Sequence, residues 1–206
     1  MTFLQHNHVS LRQLSHKMLA FLVSVLLVFV LAAPFAPATT ALAENTSSNK
    51  SSVTDEPKLT EATTAIVTDA QGNVLWSKNP DQELPMASIT KVMTAIVALD
   101  SGVNLDEPCE ITVPDLEDGS QVAGLTSDDT PTLRQLIMMM LVYSANDAAY
   151  NIAVNVSGSQ QAFVDQMNKK AAEIGMTHTQ FQNPHGLDAD GHYSTARDLA
   201  LMGRYA

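Results

Sequence analysis

The spacing of apolar residues changes several times along the chain, and each change marks a predicted element. Short runs rich in Val, Ile, Leu, Thr and Trp from Glu61 to Asp69 and from Asn73 to Ser77 read as strands, and Ala70-Gln71-Gly72 between them places glycine at a hairpin turn. The period then lengthens. Ile89, Val92, Met93, Ile96 and Val97 follow the spacing of an amphipathic helix with one buried face, which Gly102 stops. Thr130-Pro131-Thr132 caps a second helix, where Leu133, Leu136, Ile137, Met140 and Leu141 repeat the stripe. It ends at Tyr143, and Ala148, Ala149, Ile152, Ala153 and Val156 begin a third, so Ser144 and Asn146 fall at a helix-to-helix junction. Ser157-Gly158-Ser159 leads into a fourth helix reaching about Ile174, with Phe163, Met167 and Ala171 buried and Gly175 as its stop. Thr177 to Asn183 reads as extended and Pro184-His185-Gly186-Leu187 as a turn. Ser194 or Thr195 then caps a last helix, with Asp198 placed for a capping-box-like contact.

Two stretches escape this pattern. Asp106 to Asp129 carries eight carboxylates and no Lys or Arg, and reads as an irregular excursion with short strands and a solvated acidic face. At the N-terminus, a basic stretch from His6 to Lys17 precedes the 16 uncharged residues Met18 to Ala33, and Ala41-Leu42-Ala43 supplies a small-x-small cleavage site. Residues 1–43 therefore read as a secretory signal peptide, with a membrane anchor as the competing reading. Sixteen helical residues span roughly 24 Å, short of the ~30 Å hydrocarbon core, which favours cleavage. Residues 44–60, Ser/Thr/Asn-rich and aperiodic, read as a flexible linker, and residues 61–206 as one folded domain.

Composition narrows the function. After residue 43 there remain nine basic residues against 22 acidic ones, a net charge of −13, which excludes a nucleic-acid partner because phosphate neutralisation needs a basic surface. Cys109 is the only cysteine, so no intrachain disulfide forms, and it reads as a half-buried spectator.

The candidate chemistry lies in Ser88-Ile89-Thr90-Lys91, which sets a hydroxyl and an amine one helical turn apart. The same spacing in Ser47-Ser48-Asn49-Lys50 lacks any helical pattern around it. Near a helix start, unpaired N–H groups favour an alkoxide at Ser88 and disfavour an ammonium at Lys91. To act as a base at neutral pH, Lys91 needs its pKa lowered by about three units. Ser144-Ala145-Asn146 offers a second hydroxyl to relay a proton and a carboxamide to contact a peptide, although such a junction also serves as an ordinary helix cap. His185, Asp188, Asp190 and His192 could be drawn as a metal cluster, but in a glycine-bounded turn such residues serve local hydrogen bonding.

Taken in order, Ala87 to Ala95, Ser144 to Ala149, Met167-Asn168 and Phe181-Gln182-Asn183-Pro184-His185-Gly186-Leu187 resemble the penicillin-binding D-alanyl-D-alanine carboxypeptidases over about Glu61 to Ala206. The resemblance implies an α+β, penicillin-binding/β-lactamase-like fold, a helical cluster beside an antiparallel sheet. It implies Ser88 as the acylated nucleophile, Lys91 as proton acceptor, Ser144 as proton relay and Asn146 as a substrate contact, with His185 in support and no cofactor or metal. The implied reaction removes the terminal D-alanine from a peptidoglycan stem peptide outside the membrane, and β-lactams would acylate Ser88. An uncleaved signal, or a C-terminal segment beyond residue 206, would be the route to membrane association. The family's third motif, Lys-Thr-Gly on a later strand, does not occur, the last lysine being Lys170. The chain is therefore expected to be C-terminally incomplete, inactive alone and left with an open strand edge. A β-lactamase and a non-catalytic wall-binding protein on the same fold are the alternatives.

Overall fold

A hairpin opens the region described by the computed structural model, residues Leu59–Ala206; the expected signal peptide and nearly all of the expected linker lie outside the described residues. Strands β1 (Ala65–Thr68) and β2 (Val74–Lys78) pair antiparallel, Ala65 opposite Lys78, with a bulge between Val67 and Thr68. The turn is tied by Asp69, whose carboxylate accepts from the Asn73 amide at 2.8 Å and from Asn73 Nδ2 at 2.7 Å. The first strand is shorter than its sequence pattern. Upstream carbonyls are taken by side chains instead of a ladder: Lys78 Nζ donates to Leu59 O and Ala62 O, and Asn79 Nδ2 to Thr63 O.

Five α-helices follow: α1 (Thr90–Asp100), α2 (Leu133–Tyr143), α3 (Asn146–Ser157), α4 (Gln160–Glu173) and α5 (Ala196–Tyr205). Helix α1 is central, packing against the other four, while α5 also lies against β1. That position buries α1 almost all round. Thr90, Lys91 and the run Met93 to Ala98 are all buried, where the apolar spacing predicts a single stripe. Ile89, expected in that stripe, is 48% exposed. It belongs to a 3₁₀ turn, Ala87–Ile89, whose three-residue period points its side chain away from the face that the α-helix then buries.

Helix α2 starts at the cap its sequence predicts, and Thr132 there forms a full capping box with Gln135, which sequence reasoning misses. Leu133, Leu136, Ile137 and Met140 are buried, but Leu141 is 51% exposed. At 3.6 residues per turn Leu141 lies about 90° from the centre of the other four. Helix α3 buries Ala148, Ala149, Ile152 and Ala153, and α4 is capped by Ser159 and buries Phe163, Val164, Met167 and Ala171. The core is methionine-rich: Met93, Met140, Met167 and Met202 are fully buried in the same cluster as Phe163 and Phe181. Cys109 belongs to this core; it is 5% exposed and not half-buried, and burial pushes its thiol pKa up.

The acidic excursion forms no short strands among the described residues beyond an isolated bridge between Pro108 and Thr132. A polar stripe on α3 takes the place of a neighbouring strand. Asn155 exchanges two hydrogen bonds with the Glu110 backbone, Asn151 two with that of Thr112, and Asp147 accepts from the amides of Ala123, Gly124 and Leu125. Residues spaced by four share a helix face, so one stripe satisfies a backbone that would otherwise need a sheet. Downstream, Gln180 alone of the expected extended segment bridges, pairing with Tyr193. Thr195 caps α5, accepting from the Asp198 amide, but Asp198 does not complete the capping box: its carboxylate accepts from His178 N and Thr179 Oγ1, both at 2.8 Å.

Candidate active site

The 3₁₀ turn holds Ser88 at the entrance to α1. Ala87, immediately before it, has φ of +48°, an unusual conformation for a residue with a side chain. Gly186 makes this turn fit: a Cβ there would meet the Ala87 carbonyl oxygen at 2.0 Å, and its φ of +89° already requires glycine. One turn on from Ser88, in α1, Lys91 is 3% exposed and stands with Nζ 3.0 Å from Ser88 Oγ. Its Nζ also donates to the His185 carbonyl at 2.6 Å. Burial lowers the Lys91 pKa from its usual 10.5 to about 8. At pH 7 this raises the fraction of free amine about 300-fold.

Ser144 reaches the same point from the α2–α3 junction. It ends α2 in the left-handed conformation, φ +58°, and its Oγ donates to Ser88 Oγ at 3.0 Å. Three predicted site residues thus converge: an amine, a hydroxyl and a second hydroxyl in sequence. Asn146, two residues on, is buried at the first position of α3, and its amide donates to Gln121 O at 2.8 Å. Among the described residues no hydrogen bond joins its side chain to the other three.

The loop Asn183–Leu187 closes over Lys91. Asn183 Oδ1 accepts from the amides of His185 and Gly186, and Nδ2 donates to Leu187 O. Asn168 of α4 ties the preceding segment by bonding both the amide and the carbonyl of Phe181. His185 serves the site through its backbone carbonyl. Its ring accepts from Leu187 N, and burial beside Lys91 and His192 lowers its pKa to about 4, so it is neutral at physiological pH. The rings of His185 and His192 have hydrogen-bond partners in Leu187, Gln182 and the distant Thr90, and among the described residues no three His, Cys, Asp or Glu side chains converge as metal ligands.

Sequence reasoning misses Thr90, Thr94 and Asp147. The signal for the threonines is visible in hindsight: with Lys91 they are the polar residues inside an otherwise apolar helix, and both are fully buried. A cavity of about 300 Å³ lined by Asp100, Lys169 and Lys170 among others lies at the opposite end of α1 from Ser88.

Comparison with known proteins shows the family. The family model described as D-alanyl-D-alanine carboxypeptidase matches residues 38–206. A D-alanyl-D-alanine carboxypeptidase of Bacillus subtilis is 33% identical over 187 residues, covering 89% of this chain and 46% of the relative. A D-alanyl-D-alanine endopeptidase of Pseudomonas aeruginosa is 42% identical over 143 residues, covering 67% of this chain and 45% of the relative. The crystal structure of penicillin-binding protein D2 from Listeria monocytogenes in its cefotaxime-bound form aligns with a TM-score of 0.64 and 34% identity, covering 73% of this chain and 64% of that one. The chain spans about half the length of the curated relatives it matches.

Proposed function

Because the chain belongs to the D-alanyl-D-alanine carboxypeptidase family, with its penicillin-binding/β-lactamase-like α+β fold, we propose that it serves a serine carboxypeptidase that removes the terminal D-alanine from peptidoglycan stem peptides through an acyl-enzyme on Ser88. The neutral Lys91 amine takes the Ser88 proton as Oγ bonds to the carbonyl carbon of the penultimate D-alanine. Lys91 Nζ donates to the His185 carbonyl and to Ser88 Oγ; once the amine has lost its proton, the lone pair it gains at that 3.0 Å contact can accept the Ser88 proton. The Ser88 amide, in a first turn where backbone N–H groups lack helical partners, is the donor assigned to the developing oxyanion. The C–N bond then breaks, Ser144 passes the proton from Lys91 to the departing amine, and D-alanine leaves. Water attacks the ester with Lys91 again as base. Asn146 contacts the bound peptide. A β-lactam opened by Ser88 keeps its amine tethered and so stays attached.

The observation that carries this reading is the continuous path from the buried Lys91 amine to Ser88 Oγ and on to Ser144 Oγ, each step 3.0 Å. The test is to incubate the full gene product with labelled penicillin and with a peptide ending in D-Ala-D-Ala, mapping adducts by mass spectrometry. Stable label on Ser88 with D-alanine release is expected, and Ser88→Ala should abolish both. Label at another residue, or D-alanine release by Ser88→Ala, refutes the assignment; rapid label loss would make it a β-lactamase.

The identity with the Pseudomonas endopeptidase supports a second reading, cleavage of cross-linked peptides by the same acyl transfer. A cross-linked dimer as substrate separates the two. We further infer export through residues 1–43, supported by their charge and apolar pattern; protease accessibility in intact cells after cytoplasmic-membrane exposure tests it.

A further inference from the structure

Three polar side chains on the buried part of α1 are each met by the segment from Gln182 to His192. Thr94 Oγ1 donates to Pro184 O at 2.6 Å, Lys91 Nζ to His185 O at 2.6 Å, and Thr90 Oγ1 lies 2.8 Å from His192 Nε2. The first two bonds use backbone oxygens, which any residue at those positions supplies. The third depends on a side chain. His192 is 4% exposed, edge-on to Phe181 with ring centroids 6.0 Å apart, and its Nδ1 accepts the Gln182 amide at 3.0 Å. With Nδ1 occupied as an acceptor, the neutral ring carries its proton on Nε2 and donates it to Thr90. The contact is tight on the other side too, since a Cβ at Gly186 would lie 3.0 Å from Thr90 Oγ1.

Thr90 immediately precedes Lys91 and follows Ser88 by two residues, so whatever fixes Thr90 fixes the turn between them. We propose that His192 is a positioning residue of the acyl-transfer site: its Nε2–H bond to Thr90 pins the start of α1 under the 182–192 segment, which keeps Lys91 buried and its nitrogen at reacting distance from Ser88. The kinetic half of this inference rests on the roles assigned above to Ser88 and Lys91. The structural half does not.

Two variants divide the contributions. His192→Asn keeps an acceptor for the Gln182 amide but is too short to reach Thr90, whereas His192→Gln reaches Thr90 with an amide N–H and gives up the Gln182 bond. Lys91 is followed in the full gene product by NMR titration of ¹³C-labelled lysine side chains, assigned with Lys91→Met, and acylation by labelled penicillin is resolved into binding and rate constants. The wild type should titrate near 8. His192→Asn should move that midpoint up by about one unit and slow acylation about tenfold, the equivalent of one buried hydrogen bond, with penicillin binding unchanged. His192→Gln should restore both. Equal effects of the two variants, or a lower melting temperature for His192→Asn with Lys91 still titrating near 8, would overturn the proposal. Should the wild type not react with penicillin, the catalytic reading fails while the Lys91 titration still decides the role of His192.

Discussion

Replacing Lys91 by methionine tests the electrostatic basis of the site without any substrate. Burial lowers the Lys91 pKa from 10.5 to about 8, so an unfolded chain binds more protons than the folded one between those values. Stability contributed through this group therefore rises with pH across the window from 8 to 10.5. At pH 7 the strained ammonium costs about 3 kcal/mol, and at pH 10 less than about 1 kcal/mol, from about 1.4 kcal/mol per unit. Methionine removes that cost but leaves the buried His185 carbonyl without its donor, a loss of about 2 kcal/mol. Lys91→Met should thus be about 1 kcal/mol more stable than the wild type at pH 7 and about 1 kcal/mol less stable at pH 10. Urea unfolding of both proteins at the two pH values measures the difference, and groups that titrate alike in both cancel from it. If the variant is destabilised by the same amount at both, Lys91 is held as a paired cation and the argument for a lowered pKa is wrong.

Other outcomes follow from the same geometry. Ser144→Ala should slow acylation about 100-fold, the usual contribution of a positioned proton-transfer group, with little change in penicillin affinity, as read by stopped-flow labelling. Gly186→Ala should fail to fold stably, because its Cβ would overlap the Ala87 carbonyl at 2.0 Å on a backbone with φ +89°; a cooperative melt matching wild type would refute the clamp. Asp147→Asn should destabilise the chain by about 2 kcal/mol and expose residues 121–125 to proteolysis, since an amide oxygen cannot hold all three loop amides as the carboxylate does.

Features written in local chemistry are legible in the sequence. The Thr132 cap, the Thr195 cap and the glycine turn of the hairpin each depend on residues within four positions of one another. The pairing of Ser88 with Lys91 is legible for the same reason, three residues being one helical turn. What escapes is set by distant chain. The exposure of Ile89 depends on a 3₁₀ turn that Gly186 makes sterically feasible, nearly a hundred positions away. The missing strands of the acidic excursion reflect a stripe of α3 side chains that no periodicity in residues 106–129 reveals. Thr90 and Thr94 stand out only as polar residues in an apolar helix; what they bond to is not legible nearby, because their partners, His192 and Pro184, belong to another part of the chain.

The hydrogen bond from Lys91 to the His185 carbonyl joins residues 94 positions apart. Serine and lysine are thus encoded one helical turn apart, while the segment that covers the amine arrives from a much later stretch. A polypeptide severed in the Gly158 turn would place Ser88 and Lys91 on one piece and the segment that covers them on the other. In the full gene product, and on the mechanism proposed above, reassembly of two such pieces would restore the chemistry, so penicillin labelling could report their association, much as a split reporter does.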